Sequence, residues 1–457
     1  MTEQNIKLDD APLSKFHLKI TWLTFGAHFT DGYALGIIAM ALTLIGPQME
    51  LSPMWMGLLG SSALIGLFFG SLILGAVSDR IGRQKIFSFN FVLITVASFL
   101  QLFVNDPSQL LILRILIGFG LGGDYAVGTT LLAEFTPRKY RGRLLALLVV
   151  LWTVGYVTAN FVGQYLADVS PSSWRWMLAS TTIPALIVML LRIGTPESPR
   201  WLVSKGRYEE AHNIIKKYLG PNIIFDETIV KTSNSYFALF SKKLRKRTAF
   251  SGLFFVCTVV PYFAIYTFLP SVLASMGLKS NFMADFILNM FLLIGAVVGI
   301  WTMEKFSRRT MTIGSFVILT ISLFLLGVLP ENSSILMIVL FSIFTLVMSA
   351  ISNLTAVYPA ELFPTEIRST GIGFSTAISR MGSAVGTFLL PISMSTFGFT
   401  VSILLLTGVL VIGTVAAIFL APETKNLSLE DSSTPMDTRK NLSLKESSKP
   451  MDTTRIL

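Results

Sequence analysis

The sequence predicts an all-α membrane protein whose twelve transmembrane helices form two pseudo-symmetric six-helix bundles. Of its 457 residues, 52% are hydrophobic and only 14% are charged, whereas soluble domains carry about 25% charged residues. Apolar blocks run almost without interruption from residue 20 to residue 420, and the two halves of that region repeat each other. A span needs about 20 apolar residues, so twelve spans fit this length. A soluble enzyme is therefore excluded.

The apolar blocks set the predicted elements in order. Lipid offers no hydrogen-bond partner to an open backbone, so each span is predicted to be a helix. The predicted spans are residues 20–45, 54–77, 86–104, 110–133, 144–167, 174–194, 248–274, 283–302, 310–329, 334–359, 369–393 and 398–420. The resulting division is an N-terminal segment (1–19), a first bundle (20–194), a linker with an amphipathic helix (195–247), a second bundle (248–421) and a disordered tail (422–457).

The placement of basic residues predicts the topology. With the N-terminus in the cytoplasm, only Arg175 and Lys279 of the 36 Lys and Arg residues fall in loops on the opposite side. This asymmetry indicates that both termini are cytoplasmic in a multi-pass protein of the cell membrane. We expect the excess basic residues to contact the headgroups of the lipid bilayer, and we expect no nucleic-acid partner. We also expect a functional monomer.

A long-range repeat relates the two bundles. The segment AEFTPRKYRG (133–142) matches AELFPTEIRS (360–369), PESPRWL (196–202) matches PETKNLS (422–428), and DRIGR (79–83) matches EKFSR (304–308), at offsets of 227, 226 and 225 residues. Because six spans restore the original orientation, the halves are parallel repeats. Alternating access between two bundles follows from this symmetry.

The loop after the second predicted span, GAVSDRIGRQK (75–85), has the composition of a rigid charged turn. Asp79 can accept backbone N–H bonds at the start of the third helix, and Gly82 permits a tight turn. The basic residues of this loop would then form ion pairs that close one mouth of the protein and separate when that mouth opens. The alternative is a basic loop that only sets topology.

These segments resemble the markers of the major facilitator superfamily, in its sugar-porter-like and organic-ion-transporter-like branches. The resemblance covers residues 20–425 and implies charge networks that close a cytoplasmic gate across the two halves. The second loop departs from the family pattern, with Glu304 for Asp and Ser307 for Gly, which predicts a weaker gate there. The gate residues so implied are Asp79, Arg83, Glu134, Arg141, Glu197, Arg200, Glu304, Arg308, Glu361 and Arg368.

Three ionisable residues are predicted at one depth near the middle of the membrane. Asp31, Asp124 and Arg380 lie eleven to fourteen residues into their spans, or roughly 16–21 Å at 1.5 Å per residue. Charges at that depth are costly and generally functional or paired. We expect the three to share a central chamber, and the alternative for any one of them is a structural ion pair.

The resemblance extends to these positions. The run GGDY (122–125) is similar to the fourth span of phosphate:proton symporters, which carries a proton-titrating carboxylate, and HFTDGYALG (28–36) resembles their first span. SRMGSAVGTFLLP (379–391) resembles the eleventh span of organic-anion carriers, whose arginine binds the anion. Arg114 resembles a membrane-embedded arginine tied to proton coupling; the alternative is an arginine that reaches outer water.

Further side chains are candidates for the cavity wall by span and depth, although packing is the alternative for each aromatic one. They are Tyr125, Trp152, Tyr262, Tyr266 and Asn353.

The sequence thus predicts a secondary transporter that moves a small anionic metabolite, an organic carboxylate or phosphate, by proton symport. A sugar or polyol carrier is the main alternative, and a transporter-like sensor or an efflux antiporter are the others. No nucleotide-binding loop, metal cluster or nucleophile and base pattern occurs in the sequence, so we expect no enzyme and no cofactor, with the proton as coupling ion.

Overall fold

The computed structural model describes residues 6–7, 11–224, 236–276, 282–329, 334–363 and 367–425. Within these ranges eleven helices are long and apolar enough to cross a membrane. The last of them spans 51 residues and bends at Gly398, whose φ of +81° is not helical. The bend divides this helix into two crossings. The all-α fold with twelve spans is therefore confirmed.

The first half is built from helices α1 to α7, and its sixth crossing is broken. Thr181 separates two short helices within that crossing. Serine and aspartate caps begin several of the long helices: the Ser52 hydroxyl accepts from the Trp55 amide, and Asp106 accepts from the Ser108 amide. The helices are Lys15–Gln48 (α1), Pro53–Ile81 (α2), Arg83–Leu100 (α3), Pro107–Phe135 (α4), Arg138–Ala167 (α5), Trp174–Ser180 (α6) and Thr182–Leu191 (α7).

The linker carries three short helices, Pro199–Ser204 (α8), Tyr208–Tyr218 (α9) and Tyr236–Leu239 (α10). Helix α9 is amphipathic, as its sequence predicts, because Ala211 and Ile215 are buried while most of its other side chains are exposed. A two-residue strand near the N-terminus, Ile6–Lys7 (β1), pairs in parallel with Ile223–Ile224 (β2). The predicted disordered tail begins at residue 422, which is too early, because Glu423 and Thr424 are hydrogen-bonded to the second half. Residues 426–457 lie outside the described residues.

The second half repeats this plan with helices α11 to α17. Its first crossing is interrupted at Phe268, and another is interrupted at Asn353. The helices are Arg245–Thr267 (α11), Leu269–Ser275 (α12), Phe282–Lys305 (α13), Arg308–Val328 (α14), Ser334–Ser352 (α15), Leu354–Leu362 (α16) and Arg368–Leu420 (α17).

Helix packing within each half follows the repeat, and the halves meet along a few helices. Helix α1 packs on α5 and α2 on α4, as α11 packs on α17 and α13 on α15. Between the halves, α2 approaches α17 so closely that a Cβ on Gly57 would lie 2.2 Å from the Phe388 carbonyl oxygen. Large apolar side chains such as Trp22 and Phe419 are exposed around the outside. The polar groups that matter for function therefore lie inside, between helices and between halves.

Candidate functional site

A cluster of ionisable side chains lies inside the first half, between α1 and α4. One ring nitrogen of His28 and one carboxylate oxygen from each of Asp31 and Asp124 all lie within 4.8 Å of one another, and the three residues are buried. Both carboxylate oxygens of Asp31 lack a hydrogen-bond partner, whereas the His28 Nδ1 is 3.1 Å from the Thr24 carbonyl oxygen. Asp31 is thus a fully buried acid without a fixed partner.

Asp124 forms a buried ion pair with Arg192. The Arg192 Nη2 donates to Asp124 Oδ1 at 2.6 Å, and both side chains are completely inaccessible to solvent. A second guanidinium nitrogen donates to the Phe87 carbonyl, and the cation lies over the rings of Phe87 and Phe91 at 3.3 and 4.1 Å. For Asp124 the structure shows the alternative considered from the sequence, a buried ion pair.

The position of Arg192 corrects the sequence analysis. The count of basic residues used for the topology places Arg192 among the cytoplasmic cations, because it stands at the start of the charged stretch before the second bundle. It lies at the end of α7, and its side chain reaches back into the bundle to α4 and α3. The signal was present, since Arg192 falls inside the predicted span 174–194.

Arg380 reaches this cluster from the second half. Its guanidinium carbon lies 5.0 Å from the centre of the Tyr125 ring and 5.6 Å from that of Phe263, and its Nε is buried without a hydrogen-bond partner. Tyr125 follows Asp124 directly in α4, so the guanidinium lies next to the cluster of His28, Asp31 and Asp124. The structure therefore brings together Asp31, Asp124 and Arg380, as the depth argument predicts.

Aromatic side chains from both halves adjoin Arg380. Trp152 stacks on Tyr156 with centroids 5.7 Å apart, and it lies 6.0 Å from Tyr262 and 6.1 Å from Phe263. Tyr262 lies 4.7 Å from Tyr266. The Tyr156 hydroxyl donates to the Tyr266 carbonyl at 2.8 Å and so joins α5 to α11. Tyr125, Trp152, Tyr262 and Tyr266 consequently belong to one aromatic group beside the cation.

Two other predicted site residues have different surroundings. Arg114 is 1% exposed and donates from Nη1 to the Ala34 carbonyl at 3.1 Å, so it does not reach outer water. Ala34 lies one helical turn from Asp31. Asn353 is fully buried, and its Nδ2 donates to the Ala296 carbonyl at 3.0 Å, which ties α15 to α13. This contact is a tie between helices within the second half.

The charged end of the first half is a compact network. The Arg83 guanidinium pairs with Glu134, and the Ser198 hydroxyl donates to the other oxygen of Glu134 at 2.5 Å. The Glu197 carboxylate accepts hydrogen bonds from the backbone amides of Arg83 and Gln84 at 3.0 and 3.2 Å. Together these contacts tie the starts of α3 and α8 to the end of α4.

Asp79 does not cap the third helix, contrary to the sequence prediction. Gly82 precedes α3 with a φ of +114° and provides no side-chain cap, and Glu197 fills that role from a position 114 residues away from Arg83. The Asp79 side chain is 71% exposed and lies 3.8 Å from Arg83. Its backbone carbonyl accepts from the Trp201 indole at 3.0 Å. The tight turn at Gly82 is as predicted.

The charged end of the second half reproduces the network contact by contact. Arg308 pairs with Glu361 at 3.3 Å, and the Thr424 hydroxyl donates to Glu361 at 2.6 Å. The Glu423 carboxylate accepts from the backbone amides of Arg308 and Arg309 at 3.1 and 3.2 Å. The internal repeat thus extends to individual hydrogen bonds, and the substitutions at Glu304 and Ser307 leave this network intact.

The remaining predicted gate residues differ in their surroundings. Arg200 contributes to the electrostatic environment of Glu134, whereas Glu304 is exposed. The side chains of Arg141 and Arg368 lie outside the described residues. The ion pairs of Arg83 with Glu134 and of Arg308 with Glu361 each join residues of the same half. The predicted pairing across the two halves, which includes Arg141 and Arg368, stays a prediction.

The acidic cluster is better described as a charge network than as a metal centre. Arg192, bonded to one oxygen of Asp124, already compensates the charge of that carboxylate and would repel a second cation placed beside it. The arrangement can hold a proton at Asp31 and an anion at Arg380.

Comparison with known proteins identifies the class. The family model described as "Sugar (and other) transporter" matches residues 20–434, and the chain belongs to this family. It is 50% identical over 430 residues to the inner membrane metabolite transport protein YgcS of Escherichia coli (strain K12), covering 94% of this chain and 96% of that protein. The protein is a secondary transporter of the major facilitator superfamily, a multi-pass membrane protein and not an enzyme.

More distant relatives and solved structures agree with the fold. The niacin transporter NiaP of Acinetobacter baylyi is 28% identical, covering 93% of this chain and 98% of that protein, and the benzoate transport protein of the same species is 28% identical, covering 84% and 85%. The proton:xylose symporter XylE superposes with a TM-score of 0.72 at 22% identity, covering 91% of this chain and 98% of that one.

Proposed function

We propose that the protein is a proton symporter for a small organic anion. The observation that carries the proposal is the position of Arg380: it comes from the second half and lies over the ring of Tyr125, next to the first-half cluster that holds the buried, unpartnered Asp31. An anion bound at Arg380 would neutralise the guanidinium, and a proton would neutralise the acidic cluster. The loaded carrier could then change conformation without an uncompensated charge inside the membrane.

The surroundings of Arg380 favour a planar aromatic carboxylate. A guanidinium offers a flat fork of donors that matches a carboxylate, and the adjacent rings of Tyr125, Trp152 and Phe263 can contact a flat ring. Two relatives named for niacin and benzoate transport support this choice. Nicotinate and benzoate are accordingly the first candidates.

We further propose that the charged end faces the cytoplasm, with both termini on that side of the cell membrane, and that a monomer suffices for transport. The bias of basic residues supports this orientation. Contacts between the halves near the other end, where Gly57 meets Phe388 and Gln164 donates to Asp285 at 3.4 Å, would then close the outer mouth. Glu134 and Glu361 would act within the gate as anchors of each half.

A sugar carrier is the second candidate. The family description and the stacked faces of Trp152 and Tyr156 favour it, because aromatic faces also contact sugar rings. Arg380 opposes it, since a neutral sugar would leave the guanidinium uncompensated.

Uptake into proteoliposomes distinguishes the two candidates. Purified protein would be tested with radiolabelled nicotinate, benzoate, phosphate and xylose, with and without an inward proton gradient. We expect an aromatic carboxylate to accumulate only with the gradient, and Arg380→Gln to lower its uptake by at least about 30-fold, because a charge-assisted hydrogen bond contributes about 2 kcal/mol. Met381→Leu, at a neighbouring exposed position, is the control. Xylose accumulation that survives Arg380→Gln would refute the anion proposal.

A further inference from the structure

The buried acids Asp31 and Asp124 have opposite surroundings although they belong to one cluster. Asp124 has a fixed cationic partner at 2.6 Å, whereas neither oxygen of Asp31 has a hydrogen-bond partner. Both are fully buried. A buried ion pair stays together because separating it would leave two uncompensated charges in an apolar interior. A buried carboxylate without a partner is stable only when it is protonated or when a cation lies close to it.

Arg192 is itself held from several sides. Its guanidinium donates to the Phe87 carbonyl and to Asp124, and it is covered by the rings of Phe87 and Phe91. These contacts join the end of α7 to α3 and α4 within one half. An arginine so enclosed cannot swing away without exposing both a cation and a carboxylate to an apolar interior.

We propose that Arg192 is a positioning residue that fixes Asp124 as a permanent carboxylate, so that the transported proton resides on Asp31. The proposal rests on the proposed proton symport and divides the acidic cluster between two roles. Asp124, with one oxygen bonded to Arg192 and the other unpartnered, supplies a fixed negative charge beside Asp31. The proton binds a carboxylate oxygen of Asp31 from the open side of the carrier and leaves to the other side after the conformational change.

The other ionisable groups around Asp31 are compatible with this division. His28 lies on α1 and is engaged with the Thr24 carbonyl. Tyr125 lies on α4 beneath Arg380 of α17. Buried ionisable groups on the helices packed against α1 also include Arg114 on α4, Tyr156 on α5, and Tyr262 and Tyr266 on α11. Among these cations Arg380 is the one contributed by the opposite half, so its approach to Asp31 changes when the halves move.

The sharpest test compares a double variant with the single variant Asp31→Asn. The double variant, called the pair variant, carries both Asp124→Asn and Arg192→Gln. Removing both members of a buried pair leaves no unpaired charge, whereas Asp124→Asn alone strands the Arg192 cation. We expect the pair variant to transport more slowly but to keep the wild-type pH profile and accumulation ratio. Asp31→Asn should lose accumulation and pH dependence while it still exchanges substrate across the membrane.

A second measurement does not depend on transport. Infrared difference spectra of the purified protein, taken between two pH values above the range in which exposed carboxylates titrate, report a buried carboxyl group that gains a proton. The protonated-carboxyl band should persist in the pair variant and disappear in Asp31→Asn. A band lost in the pair variant, or transport by that variant that no longer depends on pH, would overturn the assignment. Wild-type protein that fails to accumulate any anion would refute the symport proposal alone, because the infrared band still decides which acid binds the proton.

Discussion

Glu197 and Glu423 are equivalent residues 226 positions apart, and each carboxylate accepts hydrogen bonds from the first backbone amides of a helix in its own half. Glu197 binds the amides of Arg83 and Gln84, and Glu423 binds those of Arg308 and Arg309. A carboxylate at a helix start satisfies unpaired N–H groups and favours the helix dipole. In each half, the segment that follows the sixth crossing is therefore hydrogen-bonded to the start of the third crossing.

Removal of either carboxylate should make the half that contains it less stable. We expect Glu197→Ala and Glu423→Ala each to lower the free energy of unfolding by about 1–2 kcal/mol, because a helix loses its cap. Thermal unfolding of the protein in detergent measures the change. Glu304→Ala removes an exposed carboxylate from the related loop and should have almost no effect. Equal losses from all three substitutions would show that the caps contribute nothing specific.

The cap at Glu423 should survive mild acid. Partial burial raises the pKa of Glu423, but hydrogen bonds from Ser307 and from the backbone amides of Arg308, Arg309 and Lys425 outweigh it, so the pKa lies below its ordinary value. A lowered pKa in the folded state contributes stability above the ordinary pKa, and this contribution disappears as the pH falls through the lowered value. The stability difference between the wild type and Glu423→Gln should stay constant from neutral pH down to the ordinary glutamate range and shrink below it. A difference that already vanishes near neutral pH would contradict this expectation.

Gly82 should tolerate no side chain. Its φ of +114° disfavours L residues, and an added Cβ would lie 2.4 Å from the Glu197 Oε2. Gly82→Ala is expected to cost about 1–3 kcal/mol from backbone strain and to detach Glu197. Gly314→Ala, in α14, meets nothing within 4 Å and should stabilise by up to about 1 kcal/mol. Melting temperatures that move in the same direction for both variants would argue against a special role for Gly82.

A bulky residue at Gly57 should prevent the halves from meeting at the proposed outer mouth. Its Cβ would lie 2.2 Å from the Phe388 carbonyl oxygen, beside a cleft of about 330 Å³ lined by Met56, Phe268 and Ser395 among others. Gly57→Trp should abolish transport without unfolding the protein. In a Cys257→Ser background, labelling of Ser271→Cys, at a half-buried position of the same cleft, by an impermeant maleimide should increase.

Gly408→Trp is the matched control for this experiment, because Gly408 is exposed and an added Cβ meets nothing within 4 Å. It should leave both transport and labelling unchanged. Normal transport by Gly57→Trp would show that the contact with Phe388 is not needed for closure.

Much of the fold follows from local sequence properties. Hydropathy predicts the twelve crossings, and the chain repeat predicts the equivalence of Glu134 with Glu361, which the two networks confirm. The breaks at Thr181 and Asn353 were not predicted, whereas the bend at Gly398 agrees with the two spans predicted on either side of it, 369–393 and 398–420. Helix continuity within a membrane depends on packing against neighbours as well as on the local pattern of residues.

The class of protein follows from the length and spacing of the apolar blocks and from the bias of basic residues, because these act through the membrane and need no knowledge of contacts. The same pattern predicts that Asp31, Asp124 and Arg380 lie at one depth. Their partners depend on how the helices pack: Arg192 reaches Asp124 across 68 residues of chain, and Glu197 replaces Asp79 as the cap of α3. Long charged side chains extend well beyond their own backbone position, so hydropathy along the chain locates the backbone of an arginine but not its charge.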